Sequence, residues 1–133
     1  MDLLLGQVSN AGLVNAEIIT LGATEDLWLG QFILASLVTA RGKLRRGLRR
    51  AYWLPGIDLK AKDTVVVHSG RGKNTREPTE DGRTRHHIYL NQRTALWGSK
   101  RRRAVLLRVS EAQGLKYHPT DPVPYSLANL EFA

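Results

Sequence analysis

The glycine-rich loop "HSGRGKNT", residues 68–75, is the stretch whose residue types most resemble a site for phosphate chemistry. A nucleotide-binding P-loop needs Gly, four residues, then Gly-Lys and Ser or Thr, and it must open a helix whose amides hold the phosphates. Here Asn74 follows Lys73, and Pro78 prevents a helix of useful length. The loop therefore does not predict nucleotide hydrolysis.

A weaker phosphate interpretation of the same loop stays open. Gly70 and Gly72 permit backbone conformations that point successive amides outward, while Arg71 and Lys73 add positive charge. Such a loop suits a backbone phosphate of a nucleic acid without any catalysis. The alternative is a glycine-rich strand exit whose arginines are simply solvated.

The four histidines do not predict a catalytic or metal site. Neighbouring residues of a strand point to opposite faces, so His86 and His87 do not chelate one metal, and His68 and Ser69 do not form a base–nucleophile pair. The carboxylates lack the clustered spacing of a metal-dependent nuclease. We therefore predict no enzyme activity, no metal and no cofactor, with His68 packed or hydrogen-bonded within its strand.

The positive charge is unevenly distributed along the chain. Its 133 residues carry a formal charge of +8, and all 20 lysines and arginines fall between residues 41 and 116. Such asymmetry predicts a face that contacts a polyanion. The chain has no cysteine, its first residues do not form a signal peptide, and no apolar stretch approaches the roughly 20 residues of a membrane span. We therefore expect a cytoplasmic location.

Three basic clusters could contact phosphates, and arginine, whose planar guanidinium suits bidentate phosphate contacts, predominates in them. Tyr52, Trp53 and Trp97 could stack on bases, although a tryptophan on a sandwich strand usually belongs to the core. No base-reading motif is present, so we predict weakly sequence-specific binding of nucleic acid or another polyanion. An acidic protein partner and a merely solvated surface remain alternatives, and the oligomeric state is not predicted. The clusters are Arg41, Lys43, Arg45, Arg46, Arg49 and Arg50 (first); Arg71, Lys73, Arg76, Arg83 and Arg85 (second), of which the first three are the candidate contacts; and Lys100, Arg101, Arg102 and Arg103 (third).

Short runs rich in Val, Ile, Leu, Tyr and Trp, separated by Gly, Asn, Pro and Asp, predict an all-β antiparallel sandwich with little or no helix. We expect one domain over residues 1–118 and a Pro-rich extended tail over residues 119–133. Residues 70–87 are expected to form a polar loop, and the first basic cluster a hairpin or loop leading into a strand. The residues expected to be largely buried are Val65, Val67, Ile88, Leu90, Val105 and Leu107.

The order of these segments resembles the lamin tail domain family, especially its prokaryotic members. "VVVHSGRGKNT", "IYLNQRTALW" and "AVLLRV" resemble the second half of that domain, and "NAEIITLG", "DLWLGQFIL" and "YWLPGIDLKAKDTVVV" its first half. Departures are Gln31, where the family has an aromatic residue, and the basic stretches "RGKLRRGLRR" and "WGSKRRR". The resemblance covers roughly residues 3–118 and implies a small immunoglobulin-like β-sandwich that binds or tethers and has no catalytic centre.

Overall fold

The computed structural model describes residues 1–40, 43–98, 102–111 and 113, and of residues 39, 40 and 43–48 it describes the backbone alone. The predicted tail, residues 119–133, lies outside the described residues. Among the residues described, no helix is long and apolar enough to cross a membrane.

The described chain is built almost entirely of strands, which confirms the prediction of an all-β sandwich with almost no helix. The one short helical element is a 3-10 turn at Leu29–Gln31. The strands are β1 (Leu3–Ser9), β2 (Ile18–Ala23), β3 (Leu27–Trp28), β4 (Phe32–Ala40), β5 (Lys43–Trp53), β6 (Asp58–Leu59), β7 (Thr64–His68), β8 (Thr75–Pro78), β9 (Thr84–Tyr89) and β10 (Arg102–Arg108).

The strands form a five-stranded sheet in the order β1-β2-β7-β9-β8, a three-stranded sheet in the order β10-β4-β5, and a short β3–β6 ribbon. Among the described strand pairs, β7 and β9 are the one parallel pair, and the others are antiparallel as predicted. The parallel pair arises because the chain leaves β7, forms the edge strand β8 and returns through a hairpin into β9.

The core lies between the five-stranded and three-stranded sheets. In β2 the fully buried Ile19 and Leu21 alternate with half-buried neighbours, as expected for a strand with one face in the core. They belong to the same buried cluster as Val67 of β7 and Phe32 and Leu34 of β4. This packing of one sheet against another makes the sandwich.

The predicted core is correct for β7 and β9 but wrong in its phase on β10. Of the expected core residues, Val65, Val67 and Ile88 are buried, whereas Leu90, Val105 and Leu107 are only half-buried. The β10 residues that pack against the core are Ala104 and Leu106, which stand opposite Ser36 and Leu34 of β4. The run "AVLLRV" is apolar on both faces, so its sequence does not determine which face turns inward.

The segment expected to be a polar loop contains strands, whereas the first basic cluster lies largely in a hairpin of β4 and β5, as predicted. Residues 70–87 contain β8, whose residues are all exposed and which pairs with β9 at the sheet edge. Polar residues and a proline are acceptable there because one side of an edge strand faces solvent. Most of the first basic cluster lies on β5, which begins at Lys43. Its ladder skips Arg50, whose φ of 49° marks a β-bulge opposite Ala35 and Ser36.

Candidate nucleic-acid interface

Glu17, which directly precedes β2, is a buried carboxylate that holds three separate parts of the chain together. Only 1% of the residue is exposed. Its oxygens accept hydrogen bonds from the backbone N–H of Gly12 (2.9 Å) and the hydroxyl of Ser69 (2.5 Å). They also accept hydrogen bonds from the backbone N–H groups of Leu96 (2.7 Å) and Trp97 (3.2 Å). Burial raises the pKa of Glu17, but these four donors together outweigh it and hold the pKa below its usual value.

The segment that Glu17 fixes, residues 91–98, is called the connecting loop below. Its first residues are hydrogen-bonded to residues 69–74, the part of "HSGRGKNT" between β7 and β8, which is called the glycine loop below. The Asn91 N–H donates to Gly70 O (3.0 Å), and the Asn91 side chain accepts from Gly72 N–H (3.0 Å). The connecting loop is thus attached at its start to the loop that carries Arg71 and Lys73.

Farther along, the connecting loop is held by the other two basic clusters. Arg50 Nη1 donates to Thr94 Oγ1 (2.6 Å), and Arg102 Nη1 donates to the carbonyl of Ala95 (3.1 Å). The β-bulge at Arg50 takes this residue out of the strand ladder, and its side chain reaches Thr94. One short loop therefore contacts the glycine loop, which carries Arg71 and Lys73, and also one residue each of the first and third basic clusters.

The first and third clusters also lie at the same end of the three-stranded sheet, on the strands that flank β4. Arg103 of β10 stands opposite Leu37 of β4, and Leu37 stands opposite Leu48 of β5, one residue from Arg49. Neighbouring strands lie about 4.8 Å apart, so the β5 and β10 backbones are roughly 10 Å apart at this level. Arg49 and Arg103 are both exposed, but Arg49 stands opposite Ser36 and so shares the other face of the sheet from Arg103.

The exposed cations around the connecting loop form what we call the basic band. The five ion pairs seen among the described residues use other cations, namely Lys60, Arg85, His86, His87 and Arg108. Within the described part of the chain, the charge of the band is therefore not neutralised by a bound carboxylate. The band comprises Arg49, Arg50, Arg71, Lys73, Arg93, Arg102 and Arg103.

Not every predicted contact residue joins this band. Arg76 is exposed on β8 opposite His86, three residues before the end of β9, and so lies farther from the connecting loop than Arg71 does. Arg85 pairs with Glu77 at 3.2 Å, and Arg83 is half-buried beside the same hairpin turn. Of the remaining predicted contacts, Lys43, Arg45 and Arg46 are described only by their backbone on β5, and Arg41, Lys100 and Arg101 lie outside the described residues.

His68 and His87 form a packed network on the outer face of the five-stranded sheet. His68 Nε2 lies 2.9 Å from His87 Nδ1, and His87 Nε2 lies 2.9 Å from Glu77 Oε1. The ring of Tyr89 stacks on His68 with centroids 4.1 Å apart. His86 is buried, with Nε2 3.9 Å from a carboxylate oxygen of Asp63. The prediction of a packed, hydrogen-bonded His68 is confirmed.

His68 and the neighbouring Ser69 do not form a base–nucleophile pair. Burial, together with the nearby charge of His87, lowers the pKa of His68. Ser69 is fully buried and donates its hydroxyl hydrogen to Glu17, so it is a structural partner of that carboxylate. Among the described residues, no group of three or more His, Cys, Asp or Glu side chains is arranged to hold a metal ion.

The aromatic residues divide into core and surface. Trp97 is 4% exposed and belongs to the core cluster, whereas Tyr52 and Trp53 are half-buried. Trp28 is 53% exposed.

Sequence reasoning missed three residues of this region: Glu17, Trp28 and Arg93. The alternation in "AEIITL" places Glu17 on the same strand face as Ile19 and Leu21, both buried. That shared phase was the signal for a buried acid. Arg93 lies alone in sequence between Gln92 and Thr94, so no run of charge marked it.

The chain matches no protein-family model, no curated protein and no solved structure. Its function is therefore inferred from the basic band and the residues that hold it.

Proposed function

We propose that this chain is a non-catalytic nucleic-acid-binding module whose basic band contacts backbone phosphates. The observation that supports this proposal is the connecting loop, which is bonded to the glycine loop at one end and to Arg50 and Arg102 farther along. We infer that this loop brings cations that are far apart in sequence near one another. A continuous cationic surface suits a polyanion better than three separate patches would.

The chemistry of the band suits phosphate. Six of its seven described cations are arginines, and each guanidinium can donate two parallel hydrogen bonds to one phosphate group. Glu17 holds the backbone beneath the band, so less conformational entropy is lost on binding. Phosphate contacts carry no base information, which is why weak sequence specificity is expected.

The dependence of affinity on salt tests the proposal. If about six phosphates are neutralised, the logarithm of duplex DNA affinity should fall with the logarithm of salt concentration at a slope near −5. Replacing Arg49 and Arg103 by Ala should flatten the slope by about two and weaken all sequences alike. This pair is chosen because Arg50 and Arg102 also hold the connecting loop.

A matched control removes the same charge elsewhere. Replacing Lys60 and Arg85, which pair with Asp26 and Glu77, by Ala should leave the slope nearly unchanged. Equal flattening by both double variants would show that net charge alone is responsible. Absence of DNA and RNA binding at low salt and micromolar protein would refute the proposal.

An acidic protein partner is the second candidate, and one observation favours it. The outer face of the three-stranded sheet carries the half-buried Ile33, Leu37, Val105 and Leu107 beside Arg103. A partner with acidic residues around an apolar patch would fit this face. Reversing Arg45 and Arg46 to Glu should then abolish one defined complex in a pull-down while DNA affinity is unchanged.

We also propose that the sandwich is of the immunoglobulin-like, lamin-tail type and that the protein acts in the cytoplasm. The motifs that resemble the family occur in the family's order and fall on β2, β4, β7 and β9 and on the connecting loop. Superposition on a lamin tail domain with the same strand order would support the relationship, and a different order would contradict it.

A further inference from the structure

An aromatic cleft opens where the ends of β5 and β9 approach β3. It has a volume of about 620 Å³, and four aromatic side chains line it: Trp28, Tyr52, Trp53 and Tyr89. Clefts of this size with mainly apolar walls and a few polar groups commonly bind a small molecule or one unit of a polymer. The phosphate contacts proposed above do not use this cleft.

One wall of the cleft is held in a fixed position. Trp53 Nε1 donates a 2.5 Å hydrogen bond to the carbonyl of Gly30. The Trp28 ring rests against Gly30 and Gly56, where an added Cβ would lie 2.4 Å and 3.1 Å from the ring. A side chain at Gly30 would therefore displace the indole, and Gly56 leaves little room for a Cβ. Trp28 is nevertheless 53% exposed, so part of its indole surface is accessible to a ligand.

Tyr89, at the end of β9, forms another part of the wall. Tyr89 stacks on His68 (ring planes 9° apart) and packs against Gly72, where a Cβ would lie 2.4 Å from the tyrosine ring. Arg71 and Lys73 flank Gly72 and are both exposed. Two cations of the basic band therefore flank the glycine that packs on this tyrosine of the cleft wall.

We propose that the aromatic cleft stacks a base of single-stranded nucleic acid on Trp28 while Arg71 and Lys73 hold the adjoining phosphate. This inference rests on the proposed function and assigns it a preferred substrate. An aromatic surface next to cations is the arrangement by which proteins bind single strands with little sequence preference. A duplex keeps its base faces stacked, so only unpaired bases can enter the cleft.

The experiment compares two ligands of equal charge. One is an oligothymidylate of about twelve nucleotides, and the other is an abasic oligomer with the same number of phosphates. Binding is followed by fluorescence anisotropy of the labelled ligand and by quenching of tryptophan emission. Trp28→Ala should weaken oligothymidylate binding about tenfold, because one base–aromatic stack is lost, and should leave abasic binding unchanged. Trp28→Phe should retain most of the affinity.

Each outcome decides between the two proposals, provided that thermal unfolding shows the variants to be folded. Equal affinity of the native protein for both ligands, unaffected by Trp28→Ala, would overturn this inference and leave the proposed function standing. Binding of neither ligand would overturn both. Trp28-dependent thymidylate binding that survives Arg49→Ala with Arg103→Ala would support the cleft and count against the wider band.

Discussion

Two glutamates, Glu17 and Glu77, differ in what their carboxylates hold together. Glu17 joins distant segments in the core, whereas Glu77 lies on the exposed edge strand β8. Each accepts several hydrogen bonds, and each has a pKa below its usual value. Glu17 is 1% exposed and joins segments up to 80 residues apart, whereas the Glu77 side chain is 49% exposed and bonds only to Arg85 and His87 of the neighbouring strand. Water can replace the partners of Glu77, but it cannot reach the donors around Glu17 without opening the core. Burial and sequence separation, rather than the number of hydrogen bonds, should therefore decide how much each acid matters.

The largest expected effect is that of Glu17→Ala. The substitution leaves two backbone N–H groups of the connecting loop and the Ser69 hydroxyl buried without a partner, and buried unsatisfied groups cost about 1–3 kcal/mol each. We expect urea denaturation to show a loss of about 3 kcal/mol or more in unfolding free energy. A loss comparable with that of an ordinary surface substitution would remove Glu17 from its proposed role.

Acid should weaken the hydrogen bonds that the Glu17 carboxylate accepts. Because the folded-state pKa of Glu17 lies below its ordinary value of 4.5, its contribution to stability is complete above that pH and is lost as pH falls through the folded pKa. The native protein should therefore lose stability steeply below about pH 4.5. Glu17→Gln has no charge to lose at this position, so its stability should fall less steeply over the same interval. Parallel acid curves for the two proteins would contradict the assignment.

A smaller pH effect is expected from the histidine network beside Glu77. Burial and then the charge of His87 depress the pKa of His68 below 6.5, so the unfolded chain takes up its proton first as pH falls. Stability is unaffected above that pH and declines below it. His86, whose pKa burial also lowers, acts in the same interval. His68→Gln should therefore remove only part of the fall in melting temperature between about pH 7.5 and 5.5.

A feature of the site could be predicted from the sequence when it depends on neighbouring residues along the chain, and not when it depends on contacts between distant segments. Alternation within β2 places Glu17 with Ile19 and Leu21, so its burial was readable from the sequence. Its partners Ser69, Leu96 and Trp97 come together only in the folded sandwich. No local sequence pattern specifies these contacts. The strand class was readable from short apolar runs for the same reason: it depends on neighbours along the chain.

The remaining misses have physical causes of the same kind. The polar strand β8 is stabilised by pairing with β9 rather than by burial, so its composition gives no strand signal. The exposure of Trp28 depends on the bare backbone of Gly30 and Gly56, one of them 28 residues away in sequence. The three basic clusters were predicted to lie near one another because a sandwich groups its loops at its ends. The connecting loop, which contacts the glycine loop, Arg50 and Arg102, could be found only in the structure.

The smallest expected effect on stability is that of Glu77→Ala, which tests whether the exposed glutamate matters less than the buried one. Glu77 is exposed and its ion pairs with Arg85 and His87 are open to solvent, so the unfolding midpoint should stay within the scatter of replicate measurements. Glu80, exposed on the same hairpin, provides a matched control because its removal changes the net charge equally. DNA affinity should rise slightly and equally in both variants, since one negative charge is lost from the same hairpin in each. If Glu77→Ala instead destabilised the protein as strongly as Glu17→Ala, the edge strand β8 would be an essential part of the fold, and burial would no longer explain the difference between the two acids.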